Sequence, residues 1–188
     1  MQYAYPHTLD NGAGERLVFQ RRVATRNGER VEGENFVTAG NGPPMHVHYL
    51  QDEVFTVKSG RAGFQRLGQE SEYAGPGETI VFKAGEAHRF WNAGTEVLNC
   101  AAYIEPADNI EYFLEQIFAS AKSSGNGRPN ILDAAYLTHR YRSEYAMLVV
   151  PSAVQRFLFP VLIAIGSLMG RYTKYEDAPE PITRALPG

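Results

Sequence analysis

Cysteine occurs once in the 188 residues, at Cys100. No intrachain disulfide can form, and this usage fits a reducing compartment. Charge of one sign is scarce too: the formal net charge is −3 and the sequence pI about 6.0. Without a basic run, nucleic acid finds no electrostatic footprint here. Without a block of like charges, there is no sign of an interaction tail. Long hydrophobic runs are also missing. The stretch 157–169 (FLFPVLIAIGSLM) falls short of the ~20 apolar residues a membrane-spanning helix needs, and Gln155 and Arg156 precede it. It reads as a buried helix or an oligomer contact, with peripheral membrane contact the minority reading. The opening Met1-Gln-Tyr-Ala-Tyr-Pro-His lacks the basic start and apolar run of a secretory signal. A cytoplasmic protein is expected.

What is present suits a folded domain. Apolar residues make up 44% and charged residues 21%, so a soluble chain with a proper core is the default. Ten Phe and eleven Tyr are enough to line a pocket as well as fill a core. The length allows one domain, or one domain with an appendage.

The pattern changes near Pro106. Before it, short segments rich in Val, Thr, Phe and Tyr alternate with Gly, Asn and Pro clusters, the rhythm of antiparallel strands and tight turns. Candidate strands cover 16–23, 30–38, 45–49, 53–59, 61–67, 79–83, 87–92 and 97–104. Turn signals separate them, among them Asn27-Gly28, the Gly40 to Pro44 cluster and Ser59-Gly60. Many short strands at this spacing predict a sandwich, jelly roll or small barrel. After Pro106 the period becomes helical. Ile110, Phe113, Leu114, Ile117, Phe118 and Ala121 form an amphipathic stripe, with Asp108 and Glu111 resembling a capping pair. A second helix is expected over 131–145. A third should open at Ser152 and run toward Gly170, bent or divided by Pro160. Gly166 and Gly170, four apart, would admit another helix closely, a weak signal. From Glu176 the tail is Pro-rich and expected to be extended. So much apolar helix surface must pack on the β-region, on itself or on a second subunit. A homodimer is the expectation.

Only five histidines occur, and three of them fall in two short segments. His46 and His48 alternate on one strand, so their side chains share a face. Glu53 follows a short polar loop, where the next strand can return beside the first. His88 lies on a later strand, with Phe90 and Asn92 on the same face. Imidazoles with one carboxylate suit a divalent first-row ion: Fe, Mn, Co, Ni, Cu or Zn. Four protein ligands around an ion that prefers six leave positions open, the mark of a catalytic rather than a closed structural site. A histidine pair on a strand is ordinarily just polar surface; three histidines and a glutamate at these spacings are not. His7 reads as flexible surface, His139 as a solvated helix face, and Cys100 as a small core residue. Phe36, Phe55, Phe64, Phe90 and Tyr103 are candidate pocket walls by alternation, with ordinary core an equal reading for each. Trp91 should face away from Phe90, under a helix, and Asn92 should stabilise a turn.

These two segments resemble the motifs of the cupin superfamily. The first motif is a glycine, five residues, His-x-His, three or four residues, Glu, six residues and a glycine; Gly40, His46, His48, Glu53 and Gly60 match it. The second is a glycine, five residues, Pro-x-Gly, two residues, His, three residues and Asn; Gly77, Gly85, His88 and Asn92 match, while Lys83 replaces the proline. That departure touches a turn and no ligand, and is expected to loosen the turn. The resemblance covers roughly residues 14–106. It implies a mainly β fold, a double-stranded β-helix or jelly-roll barrel over 1–105, with one divalent metal held by His46, His48, Glu53 and His88. Residues 106–188 would form a helical extension. Such a fold hosts many chemistries, so it does not fix the reaction. The first reading is a dioxygenase acting on a small apolar or aromatic metabolite, with Glu53 as ligand or base. The alternatives are a non-oxidative isomerase or decarboxylase, and a small-ligand binding or sensing module without turnover. A sugar-phosphate substrate would need cations in the pocket. Lys58, Arg61, Arg66, Lys83 and Arg89 lie near the motifs, but alternation turns Lys58 and Arg89 away from the ligand face.

Overall fold

The computed structural model describes residues 3–26 and 28–183. The chain is mainly β, with helices in its C-terminal part. The strands are β1 (His7–Asp10), β2 (Glu15–Thr25), β3 (Gly28–Val37), β4 (His46–His48), β5 (Asp52–Ser59) and β6 (Ala62–Arg66). They continue with β7 (Glu72–Ala74), β8 (Thr79–Phe82), β9 (His88–Asn92), β10 (Leu98–Glu105) and β11 (Tyr145–Met147). Two sheets result, in the orders β1-β2-β3-β10-β5-β8 and β11-β4-β9-β6-β7, all paired antiparallel. The eight strands expected from the sequence are present with ends shifted by a residue or two. β1, β7 and β11 were not expected; at three or four residues each, they are too short for alternation to register. The Asn27-Gly28 turn lies partly outside the described residues.

Alternation sorts the side chains. Val31, Asn35 and Val37 of β3 are buried, as are Glu53, Phe55 and Val57 of β5, Phe90 and Asn92 of β9, and Leu98 and Cys100 of β10. The apolar ones separate into two clusters. One joins Val37, Phe55, Val57, Phe64, Phe82, Phe90, Leu98 and Cys100 between the sheets. The other joins Phe19, Val31 and Ile104 to Ile110, Phe113, Phe118, Leu137, Tyr141 and Tyr145 from beyond the barrel strands. Cys100 is therefore core, as its apolar neighbours implied.

Helices α1 (Ile110–Ser124), α2 (Ile131–Arg140) and α3 (Ser152–Leu168) follow. The expected Asp108–Glu111 cap does not form. The cap position is Asn109, which makes no capping bond with its side chain. Its amide donates instead to Glu144 Oε1 at 2.8 Å and to the Glu180 carbonyl at 2.9 Å. Glu111 is fully buried and bonds Arg22 and the Tyr5 hydroxyl. The second helix stops at Arg140, short of the expected 145, because Tyr145–Met147 pairs with His46–His48 as a sheet strand. The C-terminal part is thus not wholly helical. α3 runs through Pro160 as one helix.

Gly166 offers no face to a second helix: a Cβ there would lie 2.2 Å from the Tyr172 hydroxyl, and Gly170 ends the helix at φ 65°. Phe157, Leu158, Val161, Ile165 and Leu168 remain exposed in the single chain. No helix among the described residues is long and apolar enough to cross a membrane. The tail beyond a 3-10 turn (Arg171–Tyr175) is tied down through residue 182, where the Ile182 N–H donates to Glu144; residues 184–188 of the expected extended segment lie outside the described residues.

Two smaller expectations also change. His7 is a strand residue stacked on Tyr3 and 3.4 Å from Glu115, not free surface. Trp91 does face away from Phe90, but its cover is Tyr73 and Arg89, and Gly63 makes room for its ring.

Candidate metal centre and its cavity

β4 is only three residues long, and Val47 between the histidines is buried on the opposite side. His46 stands in register with His88 of β9, and Glu53 enters from β5, across from Phe82. The sheets thus bring together His46, His48, Glu53 and His88, each offering one possible ligand atom, all within 4.8 Å of one another. His88 Nε2 lies 2.8 Å from Glu53 Oε2, and His48 Nε2 lies 3.9 Å from the same oxygen.

The ring orientations are fixed from behind. His46 Nδ1 donates to the Pro44 carbonyl at 2.7 Å, and His88 Nδ1 to the Glu86 carbonyl at 2.8 Å. These carbonyls turn Nε2 of each ring toward the cluster, the arrangement that orients metal-binding imidazoles; in His88 that nitrogen is hydrogen-bonded to Glu53. Phe82 stacks flat on His88, 3.8 Å between centroids. The turn carrying Lys83 in place of proline is held firmly. The Lys83 N–H donates to Glu86 at 2.9 Å, its ammonium meets Asp52 at 2.6 Å, and Asp52 also accepts from the Ala84 N–H. The expected loosening is replaced by these bonds.

Burial, with His48 and His88 nearby, pulls the His46 imidazole down to about 3 against the opposing effect of Glu53. Burial lowers His48 as well. Burial by itself would raise the Glu53 carboxyl; His48 and the His88 hydrogen bond override it and hold the group at about 2. Neutral His46 and His48 beside an ionised Glu53 are in the protonation states in which such groups ligate a metal. The donor set also fits an ion in its unspent capacity. His48 is buried, its Nδ1 has no partner among the described residues, and its Nε2 stands beyond hydrogen-bond range of Glu53.

A cavity of about 290 Å³ opens onto the cluster, lined by His46, His48 and Glu53 together with apolar side chains. Phe55 and Phe90 line it. Phe64 instead packs in the barrel core against Phe82. Phe36 is turned outward under the Arg16 guanidinium, 4.5 Å from its ring. Tyr103 borders both this cavity and an outer groove, with the Arg30 guanidinium 4.8 Å over its ring. On β3 and β10 the inward positions are 31, 35, 37 and 98, 100, 104, so Phe36 and Tyr103 fall in the opposite phase.

The remaining walls come from residues that the motifs do not mark. Helix α1 supplies Ile110, Phe113, Leu114, Ile117, Phe118 and Ala121, and α2 supplies Ala134 and Thr138. Tyr145 and Met147 of β11 add to them, Tyr145 edge-on to His48 at 5.4 Å. Glu15 and Asn35 face the same cavity. A carboxylate in phase with Leu17 and Phe19 was the available sequence signal for Glu15.

Residues 35–102 match the family model described as Cupin domain. That segment is similar to a cupin domain, and the match covers well under half of the chain. Among curated proteins, the chain is similar to the oxidoreductase iacF of Pestalotiopsis fici, 32% identical over 46% of this chain and 44% of that protein. It is similar also to the epoxidase atD of Aspergillus terreus, 30% identical over 42% of this chain and 25% of that one. The chain spans less than half the length of these curated relatives. Among solved structures, KdgF from Halomonas sp. is similar over 55% of this chain and 90% of its own, at 15% identity and a TM-score of 0.47. A double-stranded β-helix protein from Klebsiella pneumoniae is similar over 49% and 78%, at 21% identity and a TM-score of 0.42. The cupin segment holds all four residues of the cluster; the roof of the cavity lies outside it.

Proposed function

We propose that His46, His48, Glu53 and His88 hold one divalent transition metal, and that the protein is an oxygenase of the dioxygenase type acting on a small apolar or aromatic metabolite. The observation that carries this reading is the apolar cavity opening on a histidine–carboxylate cluster. Its size, near the lower bound of ligand pockets at roughly 300 Å³, suits a compact substrate. A divalent ion with open positions supplies Lewis-acid and redox chemistry at the cluster end of the cavity. The chain's own residues supply the rest. The Pro44 and Glu86 carbonyls orient His46 and His88, and Glu53 brings a carboxylate that can ligate or take a proton. Phe55, Phe90 and the α1 side chains exclude water around a bound ring. The oxidoreductase and epoxidase similarities lend support as analogy.

A sugar-phosphate isomerase is disfavoured, because no Lys or Arg is among the described residues lining the cavity. Lys58 pairs with Glu34, Arg61 lies over Tyr73, Arg66 bonds Glu86 and Glu72, Lys83 pairs with Asp52, and Arg89 bonds Gln65. The test is elemental analysis of untagged protein prepared without chelators, paired with oxygen uptake over a panel of enols, phenols and thiols. Stoichiometric metal and metal-dependent uptake are expected. Absence of bound metal, or no uptake across the panel, would overturn the reading.

A further inference from the structure

The same cavity holds a buried pair that the metal reading does not use. Glu15 opens β2 and Asn35 lies on the adjacent β3; they are 8% and 2% exposed, and both line the cavity. Asn35 Nδ2 donates to Glu15 Oε1 at 3.1 Å. The Asn35 Oδ1 atom is buried with no partner among the described residues. No cation pairs with Glu15 among the described residues; neighbouring Arg16 points outward over Phe36. Asn35 Oδ1 thus stands at an apolar wall with no donor among the described residues, beside a carboxyl whose hydrogen bond comes from Asn35 itself.

The placement is fixed by the turn before β2. Asn11 Oδ1 accepts from the Ala13 and Glu15 N–H groups, and Gly14, at φ 106°, approaches Thr38 so closely that a Cβ would lie 2.1 Å from its hydroxyl. Burial pushes the Glu15 carboxyl up to about 7, with Glu53 adding to the rise and the Asn35 bond opposing it. An uncompensated buried carboxyl beside an orphaned carbonyl is destabilising by itself. Such arrangements concentrate at functional sites.

We propose that Glu15 and Asn35 form a second polar centre that binds the hydroxyl group of an apolar ligand whose body fills the wall between this pair and the metal cluster. The hydroxyl donates to the Asn35 carbonyl or to Glu15, and the apolar body lies along Phe55, Phe90 and helix α1. This refines the function proposed above by naming the ligand class, and it rests on that reading's assignment of the cavity as the ligand site.

The test uses the full chain in chelator-treated and Zn(II)-loaded forms, titrated calorimetrically with 2-naphthol and with 2-methoxynaphthalene, which lacks the O–H donor. The wild type should bind 2-naphthol about tenfold more tightly than the ether, in both forms, the effect of one buried hydrogen bond. The double replacement Glu15→Leu with Asn35→Leu should bring the ratio to about one while keeping the ether's affinity. Glu15→Leu and Asn35→Leu singly guard against a misfolded double variant, and each should lower the ratio. A wild-type ratio near one, no binding of either probe, or a ratio unchanged by these replacements would overturn the proposal. A preference confined to the Zn(II)-loaded form would also overturn it, assigning the hydroxyl to the metal and leaving the metal reading intact. A preference in a protein that takes up no metal would support the polar centre while the metal reading failed.

Discussion

At one end of the barrel, Val37, Phe55, Val57, Phe64, Phe82 and Leu98 interlock between the two sheets. At the other, Phe19, Val31 and Ile104 meet Ile110, Phe113 and Phe118 from α1 and Tyr141 and Tyr145 from further along the chain. The first end is built almost wholly from the cupin segment and sets the histidines: Phe82 packs in that core and stacks on His88. The second end is closed by elements remote in sequence, and the cavity lies beneath them. The cluster therefore belongs to one part of the chain, while the space in front of it is shared between that part and the helices. On the proposed reading, chemistry belongs to the motif end, and the helix end completes the apolar wall that a substrate meets.

The sharpest way to break that division is to remove a ligand. His88→Ala should lower Zn(II) affinity by at least about a hundredfold, since even residues behind metal ligands are worth 10–100-fold. A chelator competition titration measures it, with far-UV circular dichroism confirming the fold. Full metal retention would show that the four residues do not act as one site.

The next contrast sets Phe82→Ala against Phe113→Ala. Both are buried, at 0% and 6% exposure, and each truncation should cost about 3–5 kcal/mol in urea unfolding. Only Phe82→Ala should also weaken metal binding, by roughly tenfold, because the ring behind His88 is lost. Phe113→Ala should leave metal affinity unchanged and enlarge the cavity. Equal effects on metal affinity would erase the distinction between the two ends.

A smaller effect is expected where the helices are fastened together. Asp133 of α2 is fully buried and accepts from Ser120, Arg171 and Lys174 at 2.7–3.0 Å. Burial would raise its carboxyl, but these donors outweigh it and hold the group below its ordinary range. A depressed carboxyl stabilises the fold above the unfolded-state value, near 3.9, and that contribution is lost as pH falls through the folded-state value. Asp133→Asn should therefore cost about 2 kcal/mol at neutral pH. The gap in thermal midpoint between variant and wild type should narrow near pH 3. A gap that does not narrow would mean that the ionised carboxylate is not what fastens the helices.

The same division explains what could be read from the sequence. The four clustered residues were legible because strand alternation and fixed spacing carry the information locally. The wall was legible only in part. Phe55 and Phe90 share the phase of Glu53 and His88, whereas Phe36 and Tyr103 sit on strands where hydrophobicity misleads about phase. On β3, polar Asn35 points inward and aromatic Phe36 points outward under Arg16. β11 was hidden because three residues carry no period, and its partner β4 lies about a hundred residues earlier in the chain. The α1 stripe was visible, but not that it would roof the cavity, since tertiary packing chooses the surface an amphipathic helix covers.

The finest test concerns the one motif position that departs. Lys83→Pro would install the proline of the motif that the segment resembles and remove the Lys83 N–H bond to Glu86 and the ion pair with Asp52. The lysine side chain is 70% exposed, so the ion pair contributes little. Proline would lower the entropy of the unfolded chain at a turn that follows a strand residue, a context it accepts. These terms oppose each other, and the net change should stay within about 1 kcal/mol. The Glu86 carbonyl that holds His88 Nδ1 needs neither lost bond, so metal affinity should be unaltered. A tenfold fall in affinity with unchanged stability would mean that Lys83 helps orient His88 through Glu86. The motif end would then owe its geometry to the one position at which the chain departs from the motif.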